Sequence, residues 1–235
     1  METSNKNSDN IEIIASKRHT IIMVIILLVI SLSSLSLSNS STGNANNSSK
    51  LILYLAVALG EWALVYYIWI GIKKLKRISL ITLISGKDKL DLKLNDLLIG
   101  LSFWIAANII LYIIKYFWGI PFISNTNQHL LPANLPEYIS FFILSLSAGF
   151  CEEIIYRSYF QKQFYALFRH KWSAIILQGF LFGISHGYQG LKYMTLIFVY
   201  GILFGLLVEL VKNLKPSILA HAWQDIFSGI IFQGS

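Results

Sequence analysis

Long apolar stretches alternate with short polar or charged stretches along most of the chain. Crossing the roughly 30 Å hydrocarbon core of a bilayer takes about 20 predominantly apolar residues in a helix. Seven stretches approach that length, and each is expected to be helical because lipid offers the backbone no hydrogen-bond partner. The predicted spans are residues 20–38, 51–72, 97–120, 138–157, 172–187, 192–211 and 216–233. This pattern predicts an all-α, polytopic membrane helical bundle of about seven transmembrane helices.

Composition excludes several other classes of protein. Of the 235 residues, 55% are hydrophobic and 13% are charged, about half the charged share of a soluble domain. A single Cys excludes an intrachain disulfide framework and a Cys-rich metal site. The net charge of +7 would favour a nucleic-acid partner in a soluble protein. In an apolar chain of this kind we expect contacts with membrane lipid and none with nucleic acid.

The positions of the cations predict the orientation. Sixteen of the 19 Lys and Arg residues precede the first span or lie in the second, fourth and sixth connections. Positively charged loops stay in the cytoplasm, which predicts a multi-pass cell-membrane protein with a cytoplasmic N-terminus and an external C-terminus. The first span has the basic flank of a signal peptide, but its long preceding tail and long apolar run favour a retained anchor.

Several ionisable side chains fall inside the predicted spans. Each costs about 2.5–3.5 kcal/mol on insertion scales, so each needs a partner or a function. The residues are Glu61, Glu152, Glu153, Arg157, His186, Glu209, His221 and Asp225. For Glu209 the neighbouring Lys212 or Lys215 is a sufficient partner. Glu61 either lines a cavity or pairs with Lys115, and the sequence leaves both readings open.

Helical spacing relates the acidic residues of the fourth span to an arginine. Glu153 and Arg157 are four residues apart and share a helix face, where they can neutralise each other. Glu152 points about 100° away and keeps its carboxylate for another purpose. The alternative is a pair of interfacial carboxylates at a helix end, with Arg157 in the cytoplasm.

The histidines allow a functional and a structural interpretation. A lone histidine on an apolar helix, such as His186, is more often a hydrogen-bonded core residue than a ligand. His221 and Asp225 are four residues apart on one face. This pair either orients the imidazole, supplies two metal ligands or is a buried structural pair.

Together these residues form a set typical of water activation. A carboxylate and two imidazoles from three helices can remove a proton from water and stabilise an oxyanion, with or without a metal. Cys151 is the alternative nucleophile, and it has no evident activating neighbour.

Three sequence motifs resemble those of a known family. EEIIYR at 152–157, FGISH at 182–186 and HAWQD at 221–225 are similar to the three motifs of the CPBP intramembrane metalloproteases, also called the CAAX protease/Abi family. Those motifs are Glu-Glu-x-x-x-Arg, Phe-x-x-x-His and His-x-x-x-Asn/Asp. The resemblance implies a protease core at 137–235, preceded by N-terminal membrane helices and loops at 20–136 and a cytoplasmic tail at 1–19.

The resemblance also implies a role for each matching residue. Glu152 would be the catalytic base and His186 its partner in activating water, with His221 and Asp225 as the oxyanion-side or metal-side pair. Glu153 and Arg157 would be the supporting ion pair. Ionised Asp225 can only accept hydrogen bonds, so it is protonated, orients His221 or binds a cation. Zinc is the candidate cofactor, and its candidate ligands are Glu152, His186, His221 and Asp225.

The expected function is that of an intramembrane endopeptidase. It would hydrolyse a bond in a peptide or membrane-protein substrate with an activated water, in peptide maturation or bacteriocin self-immunity. The alternatives are a non-catalytic membrane immunity or binding protein and a proton-coupled transporter.

One geometric difficulty accompanies this expectation. Counted from the helix ends with an ideal rise, His221 and Asp225 lie on the order of 10 Å from the depth of Glu152 and His186. An extension of the fourth helix into the cytoplasm would reduce the difference.

Overall fold

The computed structural model describes residues 12–40, 47–76, 79–85, 91–120 and 130–231. Within these ranges the chain is all-helical and contains no strand. The helices are α1 (Lys17–Ser40), α2 (Asn47–Lys76), α3 (Leu80–Ser85), α4 (Leu94–Phe117), α5 (Leu135–Glu153), α6 (Lys162–Phe168), α7 (Lys171–Ser185), α8 (Leu191–Val211) and α9 (Lys215–Ile226). A π-helical segment, Ile154–Gln161, joins α5 to α6, and a second, Phe227–Ile231, follows α9.

Four helices in the described part are long and apolar enough to cross a membrane. They are Lys50–Lys76, Leu94–Phe117, Leu135–Phe168 and Leu191–Val211. The helices α7 and α9 have 15 and 12 residues, fewer than the roughly 20 needed for a crossing. The chain is therefore a multi-pass membrane protein, and the predicted count of seven spans is not confirmed.

The fourth predicted span is longer than the sequence indicates. Helix continues without a break from Leu135 through the π-helical segment to Phe168. The predicted end at residue 157 is therefore wrong. The charge of Arg157 suggested the membrane surface, but its side chain is fully buried beside Glu153.

The polar side chain of Gln163, beyond Arg157, is hydrogen-bonded inside the protein. Gln163 is buried and donates to the carbonyl oxygen of Ala15 at 2.8 Å and to Thr20 Oγ1 at 2.9 Å. The same side chain accepts a hydrogen bond from the backbone of Ile14. These bonds tie the start of α1 to the extended helix, so a polar stretch continues a helix that hydropathy alone would end.

Helix α9 packs between α4 and α5 and is anchored at both of its ends. At its start, the buried Lys215 forms an ion pair with Asp96 of α4 at 2.8 Å. Near its end, Gln224 Oε1 accepts hydrogen bonds from Trp104 and Asn108 of α4. These contacts fix the rotation of α9 and turn the opposite side of the helix toward α5.

Small residues allow the closest helix contacts. A Cβ added at Gly149 of α5 would lie 2.6 Å from the backbone nitrogen of Ala222 in α9. A Cβ at Gly201 of α8 would lie 2.9 Å from Cα of Gly179 in α7. Small residues at such crossings let backbones approach and gain packing energy in a membrane protein. The first crossing brings the acidic residues after Gly149 next to His221.

Candidate active site

A buried ion pair lies at the centre of the site. Arg157 Nη1 donates to Glu153 Oε1 at 2.8 Å, and both side chains are 0% exposed. The guanidinium also lies 4.4 Å from the ring centroid of Phe182 and 4.9 Å from that of Phe204. This burial excludes the reading in which Arg157 extends into the cytoplasm.

Glu153 also fixes the imidazole of His221. Its Oε1 lies 2.9 Å from His221 Nδ1, and its Oε2 accepts a hydrogen bond from Ser217. A carboxylate can only accept here, so His221 carries a proton on Nδ1. The second ring nitrogen, Nε2, therefore faces away from Glu153.

Two further carboxylates face that second nitrogen. Glu152 Oε2 lies 3.6 Å and Asp225 Oδ2 lies 3.9 Å from His221 Nε2. Both distances exceed a good hydrogen bond. Glu152 Oε2 is buried and has no hydrogen-bond partner among the described residues. The site thus contains one carboxylate oxygen that is close to an oriented imidazole and still free to accept a proton.

The predicted depth difference between Glu152 and His221 is absent. Helix α5 with its extension runs to Phe168, so Glu152 lies 16 residues from the end of a continuous helix. The close crossing at Gly149 and Ala222 then sets the level of His221. Glu152 and His221 therefore meet, with 3.6 Å between Oε2 and Nε2, although residue counting from the helix ends predicts different depths.

Glu61 of α2 belongs to the same cluster. Its Oε2 is buried without a hydrogen-bond partner among the described residues, and it interacts electrostatically with Glu152 and Asp225. The ammonium of Lys115 instead lies 5.6 Å from the ring centroid of Tyr193. The structure therefore does not show the pairing of Glu61 with Lys115 and places Glu61 with the carboxylates of the site instead.

His186 lies apart from the carboxylates. Its Nδ1 donates to the carbonyl oxygen of Phe182 at 2.9 Å, and its half-buried ring packs against the Phe182 ring with centroids 4.9 Å apart. The His221 ring contacts the same phenylalanine, at 5.7 Å between centroids. In the described part of the chain, no carboxylate lies within ion-pair distance of His186. Phe182 therefore links the two imidazoles without bringing them into contact.

The sequence did not indicate Ser217 or Tyr188. Ser217 precedes His221 by one helical turn, and that spacing is a signal that could have identified it. Tyr188 follows α7 in the loop beside His186, at 6.1 Å between ring centroids. Burial raises the pKa of Tyr188 to about 12, with further contributions from Glu152 and Asp225. The phenol therefore stays neutral and can donate a hydrogen bond near the carboxylates.

A comparison with known families agrees with this arrangement. Residues 134–227 match the family model described as type II CAAX prenyl endopeptidase Rce1-like. This segment of the chain is similar to the CAAX protease family. The match agrees with the resemblance seen in the three motifs. No curated protein and no solved structure matches the chain.

The matched segment contains α5 to α9 and most of the clustered side chains. Glu61 lies outside it, on a helix that packs against α5. Cys151 lies within it but is 0% exposed, with its sulfur 4.0 Å from Ser147 Oγ. Burial keeps this thiol from any substrate, which argues against the alternative of a cysteine nucleophile.

The arrangement of metal-binding side chains in the matched segment decides whether a metal ion fits there. Among the described residues, no three His, Cys, Asp or Glu side chains are grouped so that they could hold a metal ion. His221 has two carboxylate neighbours, but His186 lies on another side of Phe182. The residues as arranged do not form a three-ligand zinc site. Zinc binding stays a prediction, and the chemistry below uses side chains alone.

Proposed function

We propose that the chain is an intramembrane endopeptidase in which Glu152 activates a water molecule for hydrolysis of a peptide bond. One observation carries this proposal. Glu152 Oε2 is buried, has no hydrogen-bond partner among the described residues and lies 3.6 Å from the imidazole of His221. Two polar groups at this separation can both hydrogen-bond to one water molecule, and a carboxylate so placed acts as a general base.

The side chains support the following reaction sequence. Glu152 takes a proton from water while the water oxygen attacks the carbonyl carbon of the scissile bond. Glu152 then gives the proton to the leaving amine as the carbon–nitrogen bond breaks. His221, protonated on Nε2, donates a hydrogen bond to the oxyanion of the tetrahedral intermediate. The products are a free carboxyl group and a free amine, without an acyl-enzyme.

Neighbouring residues prepare His221 for this role. Glu153 holds the Nδ1 proton and so fixes the orientation of the ring. Asp225 is placed to balance the charge of the imidazolium on the Nε2 side. Arg157 offsets the charge of Glu153, which would otherwise lie unpaired in the protein interior.

His186 is proposed as the second imidazole in water activation. Its Nδ1–H is occupied by the Phe182 carbonyl, so Nε2 is the nitrogen that carries a lone pair toward a ligand. Catalytic hydrogen bonds are often long without substrate and shorten in the substrate complex. The proposed role therefore requires a bridging water or a shift of the 182–188 segment when substrate binds.

The proposed substrate is a peptide or a membrane protein in the cell membrane, with the N-terminus of the enzyme in the cytoplasm. Glu61 and Glu152 lie on helices long and apolar enough to cross a membrane, which supports a substrate that enters from the bilayer or its surface. The role in peptide maturation or bacteriocin self-immunity rests on the resemblance to bacterial members of the family.

The test compares membrane peptides, by mass spectrometry, from cells that contain the wild-type protein or its Glu152→Ala variant. We expect a cleavage product with the wild type that is absent with Glu152→Ala. The matched control is Glu209→Ala, which removes a carboxylate paired with Lys212 at 2.6 Å on the protein surface. The control should give the wild-type product.

Other outcomes would point to the alternatives. A membrane immunity or binding protein would keep its function in Glu152→Ala and His186→Ala. A proton-coupled transporter would show substrate flux that depends on a proton gradient, and no cleavage product. Either result would contradict the proposed hydrolase.

A further inference from the structure

A polar cavity lies next to Arg157, on the C-terminal side of this residue along its helix. Its volume is about 220 Å³, and it is enclosed by the end of α3, by α6, by the start of α7 and by the end of α8. This volume is several times the ~30 Å³ that one water molecule occupies in the liquid. The charged side chains that line it are Arg157, Lys162, Lys171, Glu209 and Lys212, and the amide of Gln161 lines it as well.

The cavity carries an excess of positive charge. Arg157 is neutralised by Glu153, and Lys212 is paired with Glu209 at 2.6 Å. Lys162 donates to the carbonyl oxygen of Leu83 at 3.4 Å, and the ammonium of Lys171 lies 5.6 Å from the Trp172 ring centroid. Neither of these two lysines has a carboxylate within ion-pair distance in the described part of the chain. Two positive charges are therefore left for an anion.

Two buried polar atoms at the cavity also lack partners. Gln161 is 6% exposed and donates to the Gly205 carbonyl at 3.0 Å, but its Oε1 has no hydrogen-bond partner among the described residues. Arg157 is fully buried, and its Nε is likewise unpartnered there. Buried polar atoms are normally satisfied by protein, water or ligand. The cavity therefore offers a donor and cations to an anionic oxygen, and an acceptor to a hydroxyl group.

The backbone and the membrane position favour the same ligand. Lys171 and Ala174 belong to the first turn of α7, and the positive end of this 15-residue helix faces the cavity. The cavity lies among the ends of helices where the connecting segments collect their cations. Basic pockets at such places between membrane helices bind anionic lipid headgroups.

From these observations we infer that the cavity binds a phosphate ester that also carries a hydroxyl group. Lys162 and Lys171 contact the phosphate, and Gln161 accepts a hydrogen bond from the hydroxyl. The headgroup of phosphatidylglycerol and free glycerol phosphate share this chemistry. The site is separate from the carboxylate cluster because the Arg157–Glu153 pair lies between them.

The experiment measures binding to the purified full-length chain and needs no cleavage assay. Native mass spectrometry counts bound phosphatidylglycerol against phosphatidylcholine, and calorimetry measures binding of glycerol phosphate. The test variant is Lys162→Gln/Lys171→Gln, at two exposed positions. The control variant is Lys73→Gln/Lys74→Gln, which removes two exposed cations of α2 that do not line the cavity.

We expect the Lys162/Lys171 double variant to bind phosphatidylglycerol about 30-fold more weakly, at about fivefold per lysine. The control should stay within about twofold of the wild type. Phosphatidylglycerol binding that depends on these lysines would support the site and identify a lipid headgroup as its ligand. Binding of glycerol phosphate alone would support the site and identify a soluble phosphate ester as its ligand. Absence of both, or an equal loss in the control variant, would overturn the inference.

Discussion

Glu153 connects three side chains at the centre of the candidate site. It accepts hydrogen bonds from Arg157 on its own helix and from Ser217 and His221 on α9. Because those bonds use both of its carboxylate oxygens, Glu153 is a positioning residue, and the adjacent Glu152 is the carboxylate left for chemistry. Two neighbouring glutamates thus have different roles because successive helical positions point about 100° apart.

Glu153→Gln should destabilise the protein by about 3–5 kcal/mol, because it leaves the buried guanidinium of Arg157 without a countercharge. Urea unfolding in detergent micelles followed by tryptophan fluorescence measures the effect. The matched control is Glu209→Gln, whose partner Lys212 is 68% exposed. Such an exposed pair contributes at most about 1 kcal/mol. Equal losses in the two variants would show that Glu153 does not stabilise the interior.

At the scale of the elements, the site depends on one close crossing between α5 and α9. Gly149 precedes Glu152 by three residues, and Ala222 follows His221 directly. The absence of a side chain at Gly149 lets the two backbones approach, since any Cβ there would lie 2.6 Å from the Ala222 nitrogen. Two contacts with α4, from Lys215 to Asp96 and from Gln224 to Trp104, hold α9 in this register.

Gly149→Ala should move α9 away from α5 and lower the cleavage rate by at least about tenfold, because small displacements of catalytic groups have large effects on rate. The control is Gly60→Ala, at a helical position where a Cβ meets nothing within 4 Å. That substitution should leave the rate unchanged and stabilise α2 by up to about 1 kcal/mol. Rates are measured on the peptide identified in the membrane-peptide comparison. A wild-type rate for Gly149→Ala would refute the role of the crossing.

Part of this arrangement could be predicted from the sequence because it is local. Helical spacing alone places Glu153 beside Arg157, and His221 beside Asp225. The bond from Glu153 to His221 could not be predicted, since it depends on the relative rotation and depth of two helices. Glu61 is ambiguous for the same reason.

The ends of the helices were harder to predict than the side of a helix on which a residue lies. The charge of Arg157 suggested the end of a span, although the helix continues to Phe168. That charge is neutralised inside the protein by Glu153. A hydropathy profile scores each residue separately, so it does not show that the two charges are paired. The family motifs identified the residues that meet, but the position of His186 beside Phe182 depends on where α7 ends.

On the scale of the whole molecule, membrane crossing and charge distribution predict an orientation. Four helices of the described part are long and apolar enough to span a bilayer. Most cations of the chain lie in alternate connections, and positive loops stay in the cytoplasm. The N-terminal tail and the cavity lined by Lys162 and Lys171 are therefore expected on the cytoplasmic side.

Labelling of introduced cysteines with a membrane-impermeant maleimide tests this orientation in a Cys151→Ala background. We expect Lys192→Cys to react in intact cells. Lys74→Cys and Arg169→Cys should react only in inverted vesicles. All three positions are exposed. The native Cys151 is buried, so the wild-type protein without an introduced cysteine is the negative control. The reverse labelling pattern would contradict the predicted orientation.

A double-mutant cycle on the purified protein tests most directly whether Glu152 and His221 act on one water molecule. The cleavage rate of the identified peptide is measured for the wild type, Glu152→Gln, His221→Gln and the double variant. Residues that act as a unit have strongly non-additive effects. We predict that each single substitution lowers the rate by about 10²–10⁴-fold, and that the double variant is no slower than the slower single variant. Losses that multiply in the double variant, or a single variant that keeps the wild-type rate, would contradict the shared site.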